Sequence, residues 1–337
     1  MKRTYNDINL QNRNSFGVVE SAAQLVEFET ADDLRDYFAE QKPAKWYVLG
    51  GGNNTLFTQR YDGVILSPTS SKRTILNDDG ESVDIRVEAA HDWDALVEWS
   101  VEEGLWGIEN LSMIPSSVGA APVQNIGAYG AEAKDAITTV EYFDTKTLNV
   151  VRLRNEECSF GYRESIFKHE LRGVAIILAV EFRLHRTPKP NLGYGDVIKE
   201  VEARGGATLR NIREAICAIR SSKLPDPKIL GNAGSFFKNP VVAKEVAERL
   251  LKQYPDMPHY AVAGTTESVK LAAGWLIDRA GLKGYRSGSV GVHDRQALVL
   301  VNYGGATGSE VIALADYVCS RVKECFDVAI SPEVNIL

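Results

Sequence analysis

Three sets of loop residues in this chain gather the side-chain types that bind anions and move protons. The first, Val48-Leu-Gly-Gly-Gly-Asn-Asn-Thr-Leu-Phe57, places Gly50, Gly51 and Gly52 directly before Asn53 and Asn54. Consecutive glycines let a diphosphate come close enough for several backbone N–H groups to converge on it, and an ordinary tight turn draws on the same residues. The second runs from Ile108 to Gly130 (IENLSMIPSSVGAAPVQNIGAYG) and mixes small residues, prolines and amides without a hydrophobic period. Such a segment reads as a loop wrapped around a bulky flat ligand, with Ser116, Ser117 and Asn125 as hydrogen-bonding groups, or as a long ordered surface loop. The third set is Gly161-Tyr-Arg163-Glu-Ser165, Gly231-Asn-Ala-Gly-Ser235-Phe-Phe-Lys238-Asn239 and Ser331-Pro-Glu333. Ser235 stands between a Gly/Asn/Gly turn and two aromatic residues that could hold its hydroxyl still. Taken singly, it also reads as a turn serine, Arg163 as an ion-paired arginine and Glu333 as a solvated carboxylate.

Other chemistries find less support. His91, His169, His185, His259 and His293 form no HExxH and no zinc spacing with Cys158, Cys217, Cys319 or Cys325, so no metal is expected. The cysteines contain no CxxC pair and read as reduced thiols. The triple glycine is neither GxGxxG nor a Walker loop, and no Gly-Lys dipeptide occurs. Ser235-Phe-Phe-Lys238 fits the S-x-x-K pattern of acyl-serine enzymes, but so do Ser165–Lys168 and Ser320–Lys323, and neither SDN nor KTG accompanies them.

The elements that must position these residues change period often. Leu34, Tyr37 and Phe38 predict a helix over 31–41, followed by a short strand from Trp46 to Leu49 that ends in the glycines. Residues 83–89 alternate as a strand does, and Asp92 can cap a helix that carries Leu96 and Val97. Strands are expected at 138–143, 148–153 and 174–184, the last apolar on consecutive positions as in a strand buried on both faces. Helices follow near 208–220, 241–253, 267–280 and 307–325, with strands at 297–303 and around Val328 to Ile330. Strand runs are segregated rather than alternating with helices, so the class is α+β.

The 337 residues suggest two domains at roughly 150 residues each. A composition of 44% hydrophobic and 25% charged residues supports a packed core rather than disorder. With 38 basic and 45 acidic residues the net charge is −7, which disfavours a nucleic-acid or polybasic membrane surface. The longest apolar run, Val174 to Val180, is far too short to span a bilayer, and the segment MKRTYNDINLQNRNSF has basic residues but no apolar h-region; a cytoplasmic protein is expected.

The order and wording of VLGGGNN, PVQNIGAYG, GYRESIFK, KLPDPK with GNAGSFFKNP, and VGVHDRQALVL resemble the UDP-N-acetylenolpyruvoylglucosamine reductase (MurB) family, of the type with an extra tyrosine-bearing loop. The likeness runs from Asn14-Ser-Phe-Gly17 to Ser331-Pro-Glu-Val334. It implies an FAD-binding domain of the vanillyl-alcohol oxidase (PCMH) type over 13–187, in two lobes of about 1–66 and 67–187. A MurB-type α+β substrate domain over 205–326 and a tail, 327–337, returning to the active site would follow. The implied reaction is NADPH-dependent and FAD-mediated: UDP-N-acetylglucosamine enolpyruvate is reduced to UDP-N-acetylmuramate for peptidoglycan, hydride passing from flavin N5 to the vinyl carbon. On this resemblance Gly50, Gly51, Gly52, Asn53, Asn54, Ser116, Ser117 and Gly127 contact FAD. Arg163 and Glu333 stabilise the carboxylate as charge develops on it, and Ser235 gives the proton. Tyr194, Lys223, Asn239 and Gln296 hold the sugar nucleotide. A monomer with no nucleic-acid or membrane partner is implied.

One stretch departs from the family pattern. Where the family writes Gly-Ile-Pro-Gly, this chain has Met113-Ile-Pro-Ser116. Met113 then calls for a backbone conformation that tolerates a side chain, and a shifted loop or altered FAD affinity is expected.

Overall fold

The computed structural model describes residues 2–262 and 264–337. By its contacts the chain divides into two compact units, each assembled from separated segments.

The first unit holds the segment ending at Ile8, then Ala22–Gly51 and Asp62–Ser222. One of its sheets has four strands in the order Arg3–Asn9, Ser21–Phe28, Tyr61–Pro68, Trp46–Val48, the last two parallel. Helix α1 (Ala31–Gln41) starts where Thr30 accepts the Asp33 N–H and Asp33 accepts the Thr30 N–H, a reciprocal cap. It buries Leu34, Tyr37 and Phe38 among Val26, Phe28 and Leu66 of this sheet.

The second sheet of this unit has five antiparallel strands in the order Asn149–Arg154, Ile137–Asp144, Ala175–His185, Ser82–Glu88, Arg73–Asp78. Its central strand sends Val180 and Phe182 into one core and Ile176 into another, which explains the near-continuous apolar run. Helix α2 (Trp93–Glu102) begins at Asp92, whose carboxylate accepts the Ala95 N–H at 2.8 Å, and packs Trp93, Leu96 and Val97 into the first of these cores. Helices α3 (Val197–Glu202) and α4 (Leu209–Lys223) share a third core with Trp106.

The second unit comprises Asn9–Ser21, Gly52–Tyr61 and Lys223–Leu337. Strands Gly231–Ser235, Val299–Asn302, Val290–Val292 and Arg286–Ser287 form one antiparallel sheet in that order. Thr265–Leu271 lies between Val241–Ala243 and His259–Val262 in another. Helices α5 (Lys244–Gln253), α6 (Ala273–Arg279) and α7 (Gly308–Phe326) accompany them. The tail strand Asn335–Ile336 pairs in parallel with Thr55–Leu56.

Three expectations for this unit are corrected. The helix expected over 267–280 is a strand to Leu271 and a helix only from Ala273, because Thr265, Thr266 and Val269 are β-branched and find strand partners on both sides. Likewise Val241–Ala243 is a strand before α5. Val328 and Ile330 are both buried but pair in no strand among the described residues, and the terminal strand is Asn335–Ile336. The contact division also differs from the expected domain ranges: α4 up to Ser222 lies in the first unit, and 9–21 and 52–61 lie in the second.

Gly52 carries a double local constraint in the second unit. Its φ is +66°, and a Cβ added there would lie 2.0 Å from the Arg13 carbonyl oxygen. The Ser15 N–H meanwhile donates to the Gly52 carbonyl at 3.1 Å. Gly52→Ala combines a left-handed backbone with a main-chain clash and should lower stability by about 3 kcal/mol, read as a fall in Tm.

Candidate functional site

In the first unit the glycine turn and the long loop meet. A Cβ on Gly50 would sit 2.6 Å from the Ser117 hydroxyl oxygen, so only glycine lets that hydroxyl pack this close to the turn. Ser117 is buried, and the Ser116 hydroxyl donates to its carbonyl at 3.2 Å. Backbone bonds pin residues 116–119 of the long loop to the start of α2 and the segment before it: Trp93 N–H to Ser116 O, Val118 N–H to His91 O and Gly119 N–H to Ala89 O.

Asn125 is committed to the protein itself. Its amide donates to Glu132 and to the Gly161 carbonyl, and its oxygen accepts the Lys134 N–H. Glu109, at the start of the loop, is buried and accepts the Gly107 N–H at 2.7 Å. Burial pushes its carboxyl above the ordinary range despite that bond.

Met113 corrects the expectation drawn from its side chain. Its φ is +61°, the left-handed conformation that glycine adopts readily and a side chain does not, so the backbone here is not the side-chain-tolerant one expected. Neighbours hold it there. The Asp94 carboxylate accepts the Met113 N–H at 2.5 Å, and the Arg220 guanidinium donates to the Met113 carbonyl at 3.2 Å. Burial pushes the Asp94 carboxyl up, but the paired Arg213 and the Met113 amide pull it further down, leaving it below the usual carboxylate range.

Arg163 occupies a tight turn closed by mutual Gly161–Glu164 backbone bonds. Its φ is +57°, strained for a side chain of this size, and its guanidinium donates to the Gly127 carbonyl at 3.1 Å. The Lys168 ammonium bonds the Arg163 carbonyl at 2.8 Å and also pairs with Glu164. Gly127 belongs to a small hairpin, Gly127–Ala128 with Ala131–Glu132. Tyr194, 44% exposed between Gly193 and Gly195, meets the Tyr129 ring edge-on at 6.1 Å between centroids.

In the second unit Ser235 closes its strand at a register shift. Asn232 makes the bulge: its oxygen accepts the Gly234 N–H at 2.8 Å and its amide donates to the Leu230 carbonyl at 2.8 Å, with Gly234 at φ +68°. A bulge re-aims the side chain that follows it. Glu333 is tied beside it, its N–H donating to the Phe236 carbonyl at 2.7 Å, and the Lys238 N–H bonds the Ser331 carbonyl at 2.9 Å. Asn53 and Asn54 stand just before Thr55–Leu56, and the Asn54 carbonyl accepts the Asn335 N–H, which holds the tail to this segment. Asn239 accepts the Ala273 N–H at 2.9 Å at the start of α6. Gln296 approaches the same helix, its side-chain oxygen 3.2 Å from where a Gly274 Cβ would be. Lys223 is exposed at the end of α4.

The structure thus joins Gly50 with Ser117 and Gly127 with Arg163 in one unit. In the other it joins Ser235 with Glu333, and Asn239 with Gln296 around α6. Sequence reading did not single out Asp94, Asn110, Arg213 or Arg220, which support the long loop; charged residues on helices α2 and α4 were the available signal. Ser235 to Lys238 runs through a strand end and a bridge rather than a helix, so the two do not share a face as S-x-x-K on a helix would. Among the described residues there is no cluster of three metal-ligating side chains, and no helix is long and apolar enough to cross a membrane.

Two substitutions test this reading of the loop. Met113→Gly removes the left-handed penalty and should stabilise the protein by about 1 kcal/mol in urea unfolding. For Glu109 the folded pKa is raised, so the stability its carboxyl contributes is present below the ordinary value of about 4.3 and is lost as pH rises through the folded value. Glu109→Gln should therefore raise Tm at neutral pH and give no gain in acid; an equal gain at both would contradict the burial argument.

Known proteins bear on this site. Residues 22–153 match the FAD binding domain family, and residues 226–337 match the UDP-N-acetylenolpyruvoylglucosamine reductase C-terminal domain family. A UDP-N-acetylenolpyruvoylglucosamine reductase of Chromobacterium violaceum is 46% identical, covering 98% of each chain. That of Pseudomonas aeruginosa is also 46% identical, over 96% of each. The crystal structure of the Thermus caldophilus enzyme (MurB) shares the fold, with a TM-score of 0.71 at 24% identity, covering 100% of this chain and 99% of that one. With two family models in the expected order and relatives of this identity over nearly its whole length, the chain belongs to the UDP-N-acetylenolpyruvoylglucosamine reductase family.

Proposed function

We propose that this protein reduces UDP-N-acetylglucosamine enolpyruvate to UDP-N-acetylmuramate with FAD and NADPH, as a cytoplasmic monomer supplying peptidoglycan precursors. The observation that carries the reading is the tie between the Glu333 backbone and Phe236, which sets a carboxylate-bearing tail beside the bulge of Ser235. The chain also fits FAD. Glycine at position 50 lets the Ser117 hydroxyl close onto the turn, which sets hydroxyl and backbone donors side by side as a diphosphate requires, and Gly50, Gly51, Gly52, Asn53, Asn54, Ser116, Ser117 and Gly127 would hold the cofactor. When bound, FAD supplies the relay that accepts hydride from NADPH and delivers it to the vinyl carbon of the substrate.

The remaining chemistry falls to side chains. The Arg163 guanidinium opposes the negative charge that grows on the enolpyruvyl carboxylate, and Glu333 serves as its proton-bearing partner. Ser235 gives its proton to the carbon adjacent to that carboxylate. A serine hydroxyl is a weak acid, so its alkoxide needs a stabilising donor. The Gly234 and Phe236 N–H groups beside it are already bonded, to Asn232 and Leu298, which turns the requirement toward a side-chain donor such as a lysine. Tyr194, Lys223, Asn239 and Gln296 hold the diphosphate and uracil.

Visible absorption tests the reading. The flavin band should bleach anaerobically with NADPH and return on addition of the enolpyruvyl sugar nucleotide. In Ser235→Ala the bleaching should persist while the return slows by about 10² to 10⁴-fold. Unchanged turnover in that variant would remove Ser235 as proton donor, and a protein that neither binds nor reduces FAD would overturn the whole assignment.

A further inference from the structure

Asn110 lies in a short turn at the start of the long loop and is 2% exposed. Its amide nitrogen donates to two carbonyls from distant parts of the chain, Tyr129 O and Asn191 O, both at 2.8 Å. Only the nitrogen can serve two carbonyls, which fixes the orientation of the amide. Its oxygen is left buried with no hydrogen-bond partner among the described residues. A buried amide that leaves its acceptor unsatisfied is held there by what its donors accomplish.

Those donors clasp the segment carrying Tyr194 onto the hairpin tip Tyr129-Gly130. Asn191 completes the clasp by donating from its side chain to the Gly130 carbonyl at 2.9 Å. Gly130 permits this approach: its φ is +82°, and a Cβ there would crowd the Asn191 amide at 3.2 Å. Leu192 packs into the core shared by α3 and α4, whereas nothing lies within 4 Å of a Cβ built on Gly193 or Gly195, so the chain is anchored before Tyr194 and has open space beside the two glycines that flank it. The Tyr194 ring then rests edge-on against Tyr129. The other end of the same hairpin, Gly127, receives the Arg163 guanidinium.

We propose that Asn110 is a positioning residue for substrate capture, latching the Tyr194 segment to the Tyr129-Gly130 hairpin tip so that Tyr194 is held ready for the sugar nucleotide. The proposal rests on the reading of Tyr194 as a substrate contact and adds the residue that sets its place.

The experiment uses the flavin-loaded full chain. In Asn110→Ala, the flavin band and its rate of bleaching by NADPH should stay within twofold of the parent, while KM for the enolpyruvyl sugar nucleotide rises about tenfold for the two lost bonds. Chymotrypsin should cut after Tyr194 several-fold faster, as expected when a segment opens locally. Because Asn110 acts through Tyr194, its substitution in a Tyr194→Ala background should add little to KM; full additivity would overturn the proposal. So would parental KM and parental cleavage in Asn110→Ala. If that variant does not fold, Asn191→Ala, on the exposed side of the clasp, should shift KM and cleavage in the same direction, and no shift in either would overturn the latch. Should the parent fail to turn over the sugar nucleotide, the proposed function falls, and the cleavage rates still decide whether the latch exists.

Discussion

A buried segment without regular secondary structure has no repeating ladder, so each of its polar groups needs its own partner. The loop from Ile108 to Gly130 is under this constraint over most of its length, and its surroundings answer it bond by bond. The Trp93 indole donates to the Leu111 carbonyl at 3.0 Å and the Ser112 hydroxyl to Glu109 O at 2.6 Å. Asp94 and Arg220 take the two backbone groups of Met113. Helices α2 and α4 therefore supply the loop with polar anchors as well as apolar packing. The Arg213 guanidinium beside Asp94 favours its ionised form, and an ionised acceptor makes the stronger bond to the Met113 amide.

Much of the first unit was legible because its signals are local. Helix α1 shows its cap and its buried stripe within a dozen residues, and α2 begins at the aspartate expected to cap it. The double burial of Ala175–His185 is written in its consecutive apolar residues. The loops were recognisable as loops from glycine and proline, but their partners were not. Asp94 and Met113 are 19 residues apart and Asn110 and Asn191 are 81 apart, and neither separation leaves a periodic trace.

The second unit was harder to read, and the reason is again range. Thr265–Leu271 is a strand because of neighbours on both sides, and one continuous helical pattern through Ile277 conceals the break at Ala272. Ser235 drew notice through its setting of glycine and aromatics. The bulge that aims it depends on Asn232, whose three short-range bonds make a turn inside a strand rather than between strands. Family motifs flagged the same residues without indicating the means by which each is held.

The scattered composition of the second unit bears on how it could be inherited or dissected. Phe16, from the segment Asn9–Ser21, sets its ring against Phe236, and the Ser15 carbonyl accepts the Asn232 N–H. Thr55–Leu56, from Gly52–Tyr61, is the only strand partner of Asn335–Ile336 among the described residues. A gene fragment cut at residue 226, where the C-terminal family match begins, would encode neither piece. Its product would expose the Phe236 face and leave the tail strand unpaired, so this module travels as one sequence but folds as a composite of three.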